Sequence, residues 1–161
     1  MLQELQGRNG TGEFARRSMK NLEYILDAAE SSAEVHPVTQ TVGALLGVIV
    51  FPWENGALNA VKNKRIAVAN SEGWPSWVMS GKVAESHRVK TIGDLIELLR
   101  NSIAHGHVSF DSDSKQLSDV TVIFENHPRG DPEANWRGEI RADQLALFCK
   151  KFSNFVADFV A

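Results

Sequence analysis

The chain has 161 residues, enough to bury a core without disulfides or metals. Hydrophobic residues make up 43% and charged residues 23%, an ordinary globular balance rather than a disordered or membrane one. A net charge of −3 and a pI of about 5.9 argue against a protein that grips duplex nucleic acid through many phosphates. Contact with nucleic acid is then expected to be local, through a few cations at one place.

Residues 1–20 are polar and charged, with no apolar segment of the secretory kind. The most apolar stretch, Val42 to Phe51, is shorter than the about 20 residues that span a bilayer. No membrane partner is expected. Cys149 is the lone cysteine; it cannot form an internal bridge and reads as a buried thiol, which points to a reducing, cytoplasmic setting.

Residues 1–12, with glycines around Thr11, read as a flexible lead-in, and 13–161 as one domain. From Glu13 to about Glu30, Phe14, Leu22, Ile25, Leu26 and Ala29 recur at helical spacing. Pro37 bars smooth continuation. A second helix is predicted over about Val38–Val50, apolar nearly all round and so suited to the middle of a bundle. Gly43 and Gly47, four apart, would admit a close neighbour. Phe51-Pro52-Trp53 ends it, and a shorter helix is expected around Leu58–Val68. Trp74 and Trp77 sit in a turn-rich loop and are expected to pin it to the bundle.

The clearest segment follows. Thr91 and Asp94 have the spacing of a capping box, and Ile92, Leu95, Ile96, Leu99 and Ile103 form a core stripe. Gly106 supplies the stop. His107–Phe110 and Val120–Phe124 alternate around a polar tip, which predicts a β-hairpin, joined by a third strand near Trp136–Ile140. The last helix begins near Ala142 and carries Leu145, Phe148, Phe152, Phe155 or Val156, and Phe159 on one side. The fold class expected is mainly α: an up-and-down bundle of four to five helices with a β-hairpin inserted before the last.

At about 100° per residue, Asn101 and His105 share a face nearly opposite the core stripe, with Arg100 on the flank. Leu98 falls near the same face, an apolar residue suited to contact with a second copy. The residue types set the chemistry. His105 can take and give protons near neutral pH. Arg100 stays charged and can clamp a phosphate in a forked geometry. Asn101 can orient the imidazole or hydrogen-bond the phosphate. Together they suffice for metal-independent cleavage of RNA, whose own 2′-hydroxyl is the nucleophile; DNA lacks that group and should resist.

The segment Leu99-Arg100-Asn101-Ser102-Ile103-Ala104-His105 resembles the Arg-x4–6-His motif of HEPN domains, with a polar residue directly after the arginine. The order of motif, hairpin, Trp136 and final aromatic-rich helix is similar to that of small stand-alone prokaryotic HEPN nucleases. The resemblance implies a homodimer in which two motifs face each other across one composite cleft. It implies endoribonuclease activity on an RNA substrate, in a toxin–antitoxin or anti-phage setting, with an antitoxin or regulatory protein as a further partner. It also admits a non-catalytic module that binds a nucleotide or a partner protein, as one half of a toxin–antitoxin pair.

Plainer readings exist for each residue. Arg100 and His105 also suit a helix C-terminus, where the dipole favours cations. His105-x-His107, with Asp111, Asp113 and His127, offers two imidazoles to a metal but no recognisable ligand set, so no metal or cofactor is expected. Lys62, Lys64 and Arg65, and Lys82, Arg88 and Lys90, read as solvated faces. The tryptophans read as loop-pinning aromatics rather than base-stacking platforms. An apolar helix would raise the pKa of Cys149 and so argues against a nucleophile.

Overall fold

A computed structural model describes residues 8–50, 59 and 62–160. Helix α1 spans Arg8–Glu30, opening five residues before the expected Glu13. Ala15, Met19 and Leu22 are buried along it and Leu26 is packed partly against the core. This i, i+4, i+7, i+11 stripe lies beside the one predicted. Pro37 opens α2, Pro37–Leu45, where its missing N–H costs nothing. A π-helical turn, Leu46–Val50, continues it.

That turn departs from the regular helix predicted over Val38–Val50. It buries Val48 and Ile49 while leaving Leu46 41% exposed, so the segment is not apolar-buried all round. Gly47 faces α1: a Cβ there would lie 2.7 Å from Ser18 Oγ and 3.2 Å from Phe14 Cε1. Gly43 meets nothing within 4 Å, so only one of the two glycines serves a close approach. The predicted ending at Phe51-Pro52-Trp53 falls outside the described residues, as do Leu58, Ala60 and Val61 of the predicted Leu58–Val68 helix, but residues 62–65 are described and form a turn and a bridge rather than a helix. The helix present there is α3, Ile66–Ser71.

Four antiparallel strands follow in part: β1, Val78–Ser80; β2, Val108–Phe110; β3, Thr121–Asn126; and β4, Trp136–Arg141. Their order in the sheet is β1-β4-β3-β2. A short helix α4, Lys82–Glu85, follows β1. Helix α5 is Ile92–Ala104 and α6 is Ala142–Val160. The expected hairpin is real, with Val108 opposite Phe124, and the expected third strand pairs along the whole of β3. The fold is helical, but a mainly α bundle with one inserted hairpin understates it: a four-stranded sheet forms a layer of its own. The missing strand, β1, is three residues long and pairs Val78 with Glu139, far along the chain, so local alternation cannot announce it.

The sheet's inner face is Val122, Phe124, Trp136, Gly138 and Ile140, all buried. Trp136 folds over Gly138, where a Cβ would strike its ring at 2.4 Å. Helix α5 packs on β3, and α6 packs on both α1 and α2. Trp77 joins the layers, its ring centroid 5.7 Å from Phe124 and 5.4 Å from Phe148. Trp74 lies edge-on to Phe148 and Phe155. The tryptophan loop is thus pinned as its residues suggest. No described helix is long and apolar enough to cross a membrane.

Cys149 is fully buried on α6, and loss of solvent pushes its thiol up to about 12. It should therefore stay unmodified by Ellman's reagent at pH 8 in the folded protein and react fully in denaturant. Rapid labelling of the native protein would contradict this packing of α6.

Thr91 caps α5 with a full capping box: its Oγ1 accepts from Asp94 N–H at 3.1 Å, and Asp94 Oδ2 accepts from Thr91 N–H at 2.9 Å. Thr91→Ala should cost about 1 kcal/mol, a fall of about 2–4 °C in Tm for a chain of this size, read by thermal denaturation.

Candidate functional site

Helix α5 presents its last turn at the margin of the sheet. Leu95, Ile96 and Leu99 are fully buried on its core face, and Ser102 joins them, its hydroxyl donating to Leu98 C=O at 2.8 Å. Arg100 and Asn101 are half-buried, and His105, the C-cap, is exposed. The expectation that Asn101 and His105 turn away from the core therefore holds. Leu98 is different. It is half-buried and packs partly against the core, rather than standing on a fully solvated face.

The helix stops in a Schellman arrangement. Gly106 takes a φ of +71°, and its N–H donates to Ile103 C=O at 3.1 Å while His107 N–H donates to Ser102 C=O at 2.8 Å. These bonds satisfy carbonyls that would otherwise be orphaned at a helix end. His107 C=O then accepts from Glu125 N–H at 3.0 Å. One residue thus joins the end of α5 to strand β3.

Three of the five histidines gather here. The His105 and His107 ring centroids are 6.2 Å apart, and those of His107 and His127 are 4.2 Å apart. His127 Nε2 lies 3.6 Å from Glu125 Oε2, whose other oxygen is 3.5 Å from Arg137 Nη1. Arg137 Nε donates to Glu139 at 2.6 Å. Successive strand residues alternate faces, so Glu125, Arg137 and Glu139 occupy the outer face of the sheet, opposite Phe124 and Gly138. The motif residues alone were expected at the site; the sheet adds a line of imidazoles and charges beside them. Alternation along β3 could have placed Glu125 and His127 on one face. Only the β2–β3 register brings His107 to them.

Among the described residues, no three His, Cys, Asp or Glu side chains are placed to hold one metal ion. The two basic segments meet, because Arg65 bridges Thr91 and Ile92 N–H donates to Lys64 C=O. Lys64 is tied to Glu72 and sits over the Phe155 ring, which makes it structural. These cations lie at the N-terminal end of α5, the opposite end from His105. A cleft between the start of α2 and the 110–115 turn is lined by His36, Pro37, Phe110 and Lys115, away from the motif.

The arrangement offers a fixed cation, an amide and a solvent-accessible imidazole on one helix end. It can hold an anion and move protons beside it. Nothing within 4 Å would meet a Cβ at Gly106, so Gly106→Ala carries only the backbone cost of the left-handed conformation. It should lower stability by about 1–2 kcal/mol, measured by urea unfolding.

The family described as HEPN pEK499 p136 matches residues 5–160 of the chain. No curated protein and no solved structure matches it.

Proposed function

This chain belongs to the HEPN pEK499 p136 family, and from that premise we propose that it is a metal-independent endoribonuclease acting as a homodimer. The observation that carries this reading is the exposed His105 imidazole at the capped end of α5, one helical turn from Asn101 and five residues from Arg100. In the proposed site, Arg100 clamps the scissile phosphate and Asn101 orients it, while His105 serves in proton transfer. The RNA 2′-oxygen forms a new bond to phosphorus, the bond to the 5′-oxygen breaks, and a proton passes from the first oxygen to the second. The products are a 2′,3′-cyclic phosphate and a 5′-hydroxyl. The nucleophile comes from the substrate itself, so the reaction calls for no water-activating cation.

The dimer belongs to the same proposal. A motif on a helix end has one wall, and a second copy facing it would supply the other and a second set of Arg100, Asn101 and His105. A ribonuclease of this kind suits a toxin or anti-phage component of the cytoplasm, held in check by an antitoxin or regulatory protein. A second reading, a non-catalytic module that binds a nucleotide or a partner protein, is favoured by the net charge of −3, which gives RNA little long-range attraction.

Incubation of the wild type with mixed cellular RNA in excess EDTA separates the two. Cleavage is expected, with His105→Ala reducing the rate by about 10²–10⁴-fold and Arg100→Ala by about 10²–10³-fold. His105→Ala should keep the wild-type melting profile, since its side chain is exposed, and a cooperative melt checks that Arg100→Ala is folded. Cleavage that persists in both would sink the ribonuclease reading, and intact RNA with the wild type would leave the binding module.

A further inference from the structure

Transfer of a proton off the 2′-oxygen and of another onto the 5′-oxygen calls for two groups in opposite protonation states. One imidazole cannot fill both roles in the same step, so the second group is either His105 of the facing copy or another imidazole of the same chain. Resting on the ribonuclease reading, we propose that His107 is the second proton-transfer group, sharing the scissile phosphate with His105 of the same chain.

The spacing suits this. The two ring centroids are 6.2 Å apart with 33° between the ring planes. With the rings that close, the two imidazoles flank a phosphate from one side, each reaching a different oxygen at about 2.8 Å. One imidazole accepts the 2′-hydroxyl proton as the O2′–P bond forms. The other, as imidazolium, gives its proton to the 5′-oxygen as the P–O5′ bond breaks. The two rings end in exchanged protonation states, which exchange with solvent restores.

His107 is also the better positioned of the two. Its backbone is bonded on both sides, through N–H to Ser102 and through C=O to Glu125, and its side chain is half-buried where that of His105 is exposed. Its ring lies against that of His127, with centroids 4.2 Å apart and planes tilted by 53°. His127 in turn faces Glu125 at 3.6 Å, and Glu125 faces Arg137 at 3.5 Å. This line orients His107 before substrate arrives and offsets the positive charge that gathers on the imidazoles, which is the kind of preorganisation that lowers a barrier. His127 is a positioning residue in this scheme, acting through His107.

The test compares wild type, His105→Ala, His107→Ala, His107→Gln and His127→Ala on a short RNA in EDTA, from about pH 5 to 9, with thermal melts confirming that each variant folds. The charged groups around His107 are His105 on α5, His127 and Glu125 at β3, and Arg137 and Glu139 on β4, so the limbs of the pH profile are assigned by difference between variants. Both His107 variants should lose about 100-fold or more in kcat, with KM nearly unchanged and one limb of the bell-shaped profile gone. His127→Ala should lose about 10-fold and shift that limb without removing it. A His107→Ala enzyme with an intact bell and kcat within about threefold of wild type would overturn the proposal while the ribonuclease reading stands.

A second measurement does not need turnover. In imidazole NMR spectra of the wild type, adenosine 3′-monophosphate should shift the His105 and His107 signals together and leave His36 and His87 in place. If the wild type fails to cleave but both signals move, the ribonuclease reading falls and the shared phosphate position stands. If His107 does not move, the shared position is overturned whatever the cleavage assay gives.

Discussion

The backbone of His107 is the constraint on which the rest of this end of the molecule depends. Its N–H closes the Schellman turn of α5, and its C=O enters the ladder with β3. Helix and sheet therefore meet through two hydrogen bonds on a single residue. The preceding Gly106 makes this geometry accessible, because a left-handed φ of +71° costs a side-chain-bearing residue energy that glycine does not incur. With that junction fixed, Asn101 and His105 on the helix hold a set direction relative to the outer face of the sheet. A looser exit from α5 would leave the same side chains present but unaligned.

Behind the junction, an aromatic cluster holds the layers together. Trp77 touches Phe124 on the sheet and Phe148 on α6, while Trp74 reaches Phe148 and Phe155. Each such pair adds about 0.5–1.5 kcal/mol beyond the area it buries. The cluster has a cost as well, since the indole N–H groups of Trp77 and Trp136 are buried without an acceptor among the described residues. Each such orphan costs about 1–3 kcal/mol; the large area these rings bury offsets it.

Helix α5 was legible because its signals are local: a cap at Thr91, a buried stripe through Leu99, and a glycine after His105. Even there, Ile103 is only half-buried, because the last turn projects beyond the core. Leu98 is more buried than a helical wheel places it, because a wheel takes no account of what packs on the helix. The sheet was legible in proportion to strand length. The six-residue β3 and β4 show enough alternation to be found, whereas β1 has three residues and a partner that lies beyond α5. The π-helical turn after Leu45 is announced by no motif in the sequence. His107, His127 and Glu125 were visible as residue types, but their company was not, since strand register sets it.

The first and last helices of the described chain pack directly on each other, and α6 carries Phe148, Phe152 and Val156 into the core. A growing polypeptide has therefore already delivered the Arg100–His105 segment long before the helix that closes its core is made. During synthesis the apolar face of α1 has no α6 to cover it. Assembly of the site is consequently a late event, completed only once α6 is free of the ribosome to dock on α1. A nascent chain carries Arg100, Asn101 and His105 without the alignment that the completed junction of helix and sheet gives them.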